Sequence, residues 1–321
     1  MLRLPIRTHA QLACMFLAAM AAGLAHAEAP MQNVQAPGWH RTLVGEFEVT
    51  ALLDGTLRLP VAKLLRGDPA RLKGALDRAF LAGETVETSV TGYLVNTGSK
   101  LVLVDTGGGG MAPTLGRLVQ NLRASGYRPD QVDEIVITHM HADHVGGLVA
   151  DGKRVFPNAT LRIDKHDVEY WLSETNRNAA PESGRGFFEA AMAAVRPYEL
   201  SGQLRPFEGE TQIVPGVRAM PSYGHTPGHS IYSIESKGER LVLWGDLLHV
   251  AAVQFEDPSV TIAFDVDSNQ AAPQRSRAFA EAARGGYLVG APHLSFPGLG
   301  HVRANADGGY TFVPLNYSIL R

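Results

Sequence analysis

Residues 139–144, His-Met-His-Ala-Asp-His, bring three imidazoles and a carboxylate together in one short stretch. Nothing else in the chain constrains its fold as much. The apolar run before them, Asp133-Glu134-Ile135-Val136-Ile137, reads as a short buried strand. Val145-Gly146-Gly147-Leu148 after them reads as a tight turn entering a helix. Ligand-type side chains therefore stand on a loop at the carboxyl end of a strand, where open α/β sheets carry their sites. Imidazole with carboxylate suits zinc and the borderline first-row metals. The alternative is a polar loop of solvated histidines, which H-x-H-x-D-H spacing makes a poor explanation.

The 321 residues, 45% of them apolar, suffice for one large α/β domain or two smaller ones. The first 27 residues read separately. Arg3 and Arg7 precede a short apolar run, 12–25, and Ala25-His26-Ala27 is an A-x-A cleavage site. That is the pattern of a secretory signal peptide, cleaved after Ala27. The run is too short for a stable membrane anchor, so a secreted or periplasmic protein is expected, with 28–321 as a single domain. Cys14, the one cysteine, leaves with the signal, so the mature chain has no disulfide and no thiolate ligand. Cleavage removes two of the 29 basic residues and none of the 32 acidic ones, taking the formal charge from −3 to −5. With no basic cluster, nucleic acid is not expected as a partner.

Along the chain, 28–46 reads as an extended lead-in, 47–55 as a strand and turn, and 60–83 as a helical excursion. Residues 90–96 and 101–105 read as a hairpin. The Gly107–Gly110 run after it lacks the Lys-Ser/Thr of a P-loop, so its glycines are expected to let backbone approach the histidine loop. Helices are expected over 114–125, 165–173, 184–195 (stopped by Pro197) and 270–284. Short strands are expected at 159–163, 204–207, 212–214, 217–220, 231–234, 241–244 and 287–290. One or two more should close the chain between 308 and 320. Strands then helices, twice over, imply two sheets face to face with helices outside, an αββα sandwich of the α/β class.

Four places put ligand-type residues just after apolar runs: His139 to His144, His225, Asp246 and His293. Jointly they are a strong signal. The motifs H-M-H-A-D-H, G-H-T-P-G-H and W-G-D, with the late His293, resemble those of the metallo-β-lactamase-fold hydrolase superfamily over nearly the whole mature chain. Within it, 245–255, 293–300 and 313–317 are most similar to methyl parathion hydrolase and its lactonase-like relatives. The resemblance implies that His139, His141 and His225 hold one divalent ion. It implies that Asp143, His144 and His293 hold a second, and that Asp246 bridges the two. Two zinc ions are expected, with Mn, Fe or Co also fitting these ligands. His225 is preferred over His229, which is read as structural, and His293 over His301, which follows a Gly-Leu-Gly turn. His40 and His166 read as surface or packing residues, and Asp105 as a support. A homodimer is implied by the resemblance alone.

His249 stands three residues after Asp246, where acyl-homoserine lactonases place a substrate-facing Tyr and methyl parathion hydrolase tends to be apolar. A histidine there could donate to a leaving alkoxide or a carbonyl oxygen. Its bland alternative is a hydrogen bond to a ligand carboxylate. Trp171, Phe188 and Phe264 are candidates for an aromatic pocket wall, with core packing as the alternative. The expected function is opening of lactones or aryl esters, dihydrocoumarin-type lactones among them. A metal-bridging hydroxide would be the nucleophile, with His249 and Asp143 assisting as catalytic groups. Organophosphate triesters are an expected side activity. The alternatives are organophosphate hydrolysis as the main activity, or a non-catalytic metal-stabilised binding protein.

Overall fold

A computed structural model describes residues 29–81, 83–306 and 308–320. The expected signal peptide, 1–27, lies outside the described residues. The chain divides into a leading unit, 1–36, whose described part, 29–36, has no helix or strand, and a second unit, Pro37–Arg321, which carries the elements below. Among the described residues no helix is long and apolar enough to cross a membrane.

The first sheet has six strands in the order β1 (Trp39–Val44), β2 (Phe47–Leu59), β3 (Val86–Asn96), β4 (Leu101–Val104), β5 (Glu134–Val136) and β6 (Thr160–Arg162). The second has seven: β7 (Thr211–Val214), β8 (Val217–Pro221), β9 (Ser230–Ser236), β10 (Glu239–Leu243), β11 (Leu288–Gly290), β12 (Leu299–Ala304) and β13 (Tyr310–Pro314). The first pairs parallel along β4, β5 and β6, and the second where β10 meets β11. Parallel strands buried on both faces read as unbroken apolar runs, as in Leu101-Val102-Leu103-Val104.

Alternation along these strands sorts side chains into three layers. Val49, Tyr93, Val95, Val102 and Val104 of the first sheet pack with Val217, Ala219, Tyr232, Ile234 and Leu243 of the second. The opposite face of the first sheet, with Leu94, Leu103 and Ile135, is covered by α2 (Leu118–Ala124) and α5 (Glu182–Leu200). The opposite face of the second, with Val242 and Val289, is covered by α6 (Ser268–Gly285) through Ala278, Phe279 and Ala282. The layers are therefore helix, sheet, sheet, helix.

Several elements differ from the sequence reading, each through a contact distant in sequence. Residues 39–44 are an edge strand on β2. The expected turn at Asp54-Gly55 is a bulge inside β2, which runs on to Leu59. A Cβ on Gly55 would stand 1.9 Å from the Thr114 carbonyl oxygen, so the strand passes there only as glycine. The excursion is α1 (Pro69–Arg78), with Asp68 accepting from the Arg71 amide, preceded by a short ribbon in which Leu65-Arg66 pairs with Thr261-Ile262. Helix α2 begins at Leu118 rather than Thr114, because the Asp54 carboxylate takes the amides of Gly108, Gly116 and Leu118. Helix α3 (Lys165–Trp171) stops early, because Ser173 caps an additional helix, α4 (Glu174–Ala179). Pro197 lies inside α5 instead of ending it. The helix continues because Tyr198 is fully buried and its hydroxyl reaches the Leu148 carbonyl, which outweighs one missing amide bond. Residues 204–207 make only isolated bridges, at Leu204 and Phe207.

The Gly-rich loop after β4 does lie against the histidine loop. Gly147 donates to the Gly107 carbonyl, and Thr106 donates to that of His144, at 3.0 and 2.8 Å. A Cβ on Gly147 would sit 2.0 Å from the Thr106 carbonyl oxygen. Gly147→Ala should therefore prise the two loops apart, at a cost of about 1–3 kcal/mol or more. Urea unfolding together with metal titration checks this, and an alanine protein with unchanged midpoint and metal affinity would contradict the packing.

Candidate metal centre

The histidine loop leaves β5 and is tied back at once. Asp105, at the end of β4 with a left-handed φ of 58°, accepts from the Thr138 amide and hydroxyl, both at 2.8 Å. Its Oδ2 is also 2.8 Å from Nδ1 of His144, which turns that ring's Nε2 inward. Asp167, buried on α3, joins the histidine loop to the 222–229 loop. It accepts from the Met140 amide (2.9 Å), the Thr226 hydroxyl (2.9 Å) and the Gly228 amide (2.6 Å). Burial pushes the Asp167 carboxyl up to about 6 against those bonds.

The loops converge on Asp246, which follows β10 and is 2% exposed. Its Oδ2 faces Nε2 of His139 (3.5 Å), His225 (3.3 Å) and His249 (2.9 Å). Its Oδ1 faces Nε2 of His144 and of His293, each at 3.2 Å. His141 completes the first group, with Nδ1 3.0 Å from His139 Nε2 and 3.1 Å from His225 Nε2. Asp143 completes the second, with Oδ2 3.6 Å from His144 and 3.5 Å from His293. Ligand atoms of His139, His141, His225 and Asp246 lie within 4.8 Å of one another, and so do those of Asp143, His144 and His293. Asp246, His249 and His293 form a third such group.

The rings are oriented from behind. Nδ1 of His225 meets Asp265 Oδ1, and Nδ1 of His293 meets the Ser89 carbonyl, both at 2.8 Å. His229 stands outside the cluster. Its Nε2 accepts from the Asp246 amide at 3.0 Å, and its Nδ1 donates to the Ser222 carbonyl at 3.0 Å. Burial drives its pKa down to about 3, so it stays a neutral strut. His301 is exposed beside the Gly286 carbonyl, and His166 is half exposed on Asp164.

Burial holds His139 and His141 well below the ordinary imidazole value. Burial also opposes charge on His144, but Asp246, Asp143 and Asp105 outweigh it and raise the ring well above that value. His225 is raised to about 9 by Asp246 and Asp265 against the same burial. Asp246 is lowered far below the carboxylate range, because His144, His293 and His139 overcome its desolvation. His249 is lowered by burial, which outweighs Asp246. Buried Nε2 of His144 and Oδ1 of Asp246 have no hydrogen-bond partner among the protein atoms. Inward-facing imidazole nitrogens and carboxylate oxygens of this kind suit divalent zinc, and also Mn, Fe or Co.

Around this cluster, Trp171 presents its edge to the His141 ring at 5.3 Å between centroids, and Phe264 lies 5.9 Å from His249. Phe188 is not on this wall. It is buried behind Trp171, 4.7 Å away, on the inward stripe of α5 with Ala191, Val195 and Tyr198. The ring facing the cluster from that helix is Phe187, 5.4 Å from His141 and 37% exposed. Helical period separates the two phenylalanines, since 188, 191, 195 and 198 share the core face and 187 does not. The sequence reading passed over Phe187, Asp167 and Asp265. The period could have pointed to Phe187, whereas no motif marks the two carboxylates.

A family model described as the metallo-beta-lactamase superfamily matches residues 85–305. The chain is 25% identical to an N-acyl homoserine lactonase of Bacillus cereus over 213 residues, which is 60% of this chain and 77% of the lactonase. Among solved structures it is similar to hydrolase AbOPH, described as in the beta lactamase superfamily. The identity is 33% and the TM-score 0.85, over 89% of this chain and 100% of that one. It is also similar to AidC, a dizinc quorum-quenching lactonase solved with a product. There the identity is 27% and the TM-score 0.80, over 88% and 99% of the two chains.

Asp167→Ala would leave three buried donors without an acceptor, at about 1–3 kcal/mol each. We expect a loss of at least about 3 kcal/mol in unfolding free energy and weaker metal retention, read by denaturation and by dialysis against chelator. Unchanged stability would show that the loops are not held together there.

Proposed function

The chain belongs to the metallo-beta-lactamase superfamily, and from that premise we propose that it is an exported hydrolase that opens lactones at a dinuclear centre. It is a metal-dependent hydrolase with lactonase-like relatives and a cluster of histidines and carboxylates. The observation that carries the dinuclear reading is the division of Asp246, with one oxygen toward His139 and His225 and the other toward His144 and His293. Two ions a few ångströms apart need such an anion between them. The similarity to a dizinc lactonase supports zinc. Export rests on the signal-like pattern of residues 1–27.

When bound, the ions would supply Lewis acidity and an acidified water. The protein's own groups do the rest. Burial lowers the His249 ring below the ordinary imidazole value, and its Nε2 lies 2.9 Å from Asp246 Oδ2. A ring at that place can donate a hydrogen bond to the ring oxygen expelled from a lactone. Asp143, with 17% of its side chain exposed, is the carboxylate of the cluster with access to solvent. It can pass a proton outward at Oδ2. Trp171, Phe187 and Phe264 line this side of the cluster with apolar rings, which suit an acyl chain or an aromatic ring. That lining also favours a second reading, turnover of aryl esters and organophosphate triesters with aryl leaving groups.

A panel of acyl-homoserine lactones, dihydrocoumarin, aryl esters and methyl parathion tests the order. We expect the lactones to give the highest kcat/KM, and a clear lead for methyl parathion would reverse the two readings. His249→Leu should lower lactone turnover by about 10²-fold or more and triester turnover much less. Equal losses on both would remove His249 from the leaving-group step. Metal analysis should find about two ions per chain, all lost with activity on chelation.

A further inference from the structure

Arg275, on α6, is fully buried and belongs to no part of the cage. Its Nε donates to the Leu247 carbonyl, and its Nη1 to those of Pro258 (2.9 Å) and Val260 (2.6 Å). Among the described residues it forms no ion pair within hydrogen-bonding reach, and every acceptor it uses is main chain. A cation placed so deep is costly unless its donors are taken and its charge is offset, and here main-chain carbonyls take the donors while the charges of Asp265 and Asp257 favour the cation. Burial pulls its pKa down to about 10, so it remains charged at neutral pH.

The carbonyls it holds explain the choice of residue. Leu247 lies between Asp246 and His249 and is the last residue of the 3-10 turn Gly245–Leu247. A second buried side chain grips the same segment. Gln254 Oε1 accepts from the amides of His249 (2.7 Å) and Val250 (3.0 Å), and its Nε2 donates to the Val260 carbonyl at 3.1 Å. Arg275 and Gln254 thus meet on one carbonyl, Val260. One planar guanidinium reaches Leu247, Pro258 and Val260 together, which an ammonium could not do with fixed geometry. The stretch leading into α6 also grips the other loop of the first metal group. Asp265 bonds His225 Nδ1, Val266 donates to the His225 carbonyl at 2.9 Å, and Asp267 donates to that of Gly224 at 2.9 Å. A single brace, 265–275, therefore spans His225 and Asp246, which arrive from different loops.

We propose that Arg275, with Gln254, is a positioning residue for this centre, locking the 246–250 segment so that the Asp246 carboxylate and the His249 ring keep their places relative to His225. Its effect on turnover rests on the hydrolase reading above, whereas its effect on the cage does not.

The test uses the full-length protein and Arg275→Lys, which keeps the charge and loses the fork. Far-UV circular dichroism should match the wild type. The visible spectrum of the Co(II)-loaded protein should change, and kcat should fall about 10–100-fold with KM held within about threefold. A lower melting temperature with an unchanged Co(II) spectrum and unchanged kcat per folded molecule would make Arg275 purely structural and overturn the proposal. If Arg275→Lys does not fold, Gln254→Met gives the same readouts, and an unchanged Co(II) spectrum there overturns it equally. A wild type that opens no lactone would defeat the substrate reading alone, because the spectral comparison needs no substrate.

Discussion

One carboxylate, Asp246, lies almost without exposure among the Nε2 atoms of His139, His144, His225, His249 and His293. An anion buried so deeply must be balanced by positive charge. With protons alone the balance is uneven, since burial holds His139, His141 and His249 neutral while His144, His225 and His293 are raised. Two divalent ions would let the rings of His139, His141, His144, His225 and His293 act as neutral ligands and would offset the Asp246 charge. The cage also crosses the sandwich. His139 to His144 follow a strand of the first sheet, while His225, Asp246 and His293 come from loops of the second. Ions bound there would clasp the two sheets, a role that disulfides cannot take in a chain whose one cysteine is Cys14.

Three of the ligand rings are set by what holds their other nitrogen. Asp105 behind His144, Asp265 behind His225 and the Ser89 carbonyl behind His293 each fix a tautomer and an aim. His229 does for the backbone what these do for side chains, since it accepts the Asp246 amide and cannot then be a ligand. Such polar groups behind the ligands are expected where a shift of a fraction of an ångström alters chemistry.

What was legible in the sequence is what depends on neighbours in sequence. The strand before His139, the strand-end placing of His225, Asp246 and His293, and the layer order all follow from local period and from turn residues. The rest depends on partners far along the chain. The start of α2 is decided by Asp54, whose carboxylate takes the Leu118 amide from 64 residues away. The length of α5 past Pro197 is decided by the burial of Tyr198. Phe188 and Phe187 are adjacent in sequence, and only the docked face of α5 tells the packed ring from the open one. Asp265 and Arg275 sit in no motif because their roles arise where loops from different strands meet.

The carboxylates of the centre are divided by exposure more than by type. Asp246 is sealed and surrounded by imidazoles, whose charges hold its carboxyl well below the ordinary carboxylate value. Asp143, with its side chain 17% exposed and its Oδ2 3.5 Å from His293, touches the same cluster from its solvent side. Asp246 is thus the enclosed anion of the cluster, and Asp143 is its carboxylate that meets solvent. His249, lowered by burial and stacked 5.1 Å from His293, is held with its Nε2 2.9 Å from Asp246 Oδ2. That ring is set by Phe264 on its flank and, through the His249 amide, by the Gln254 carboxamide.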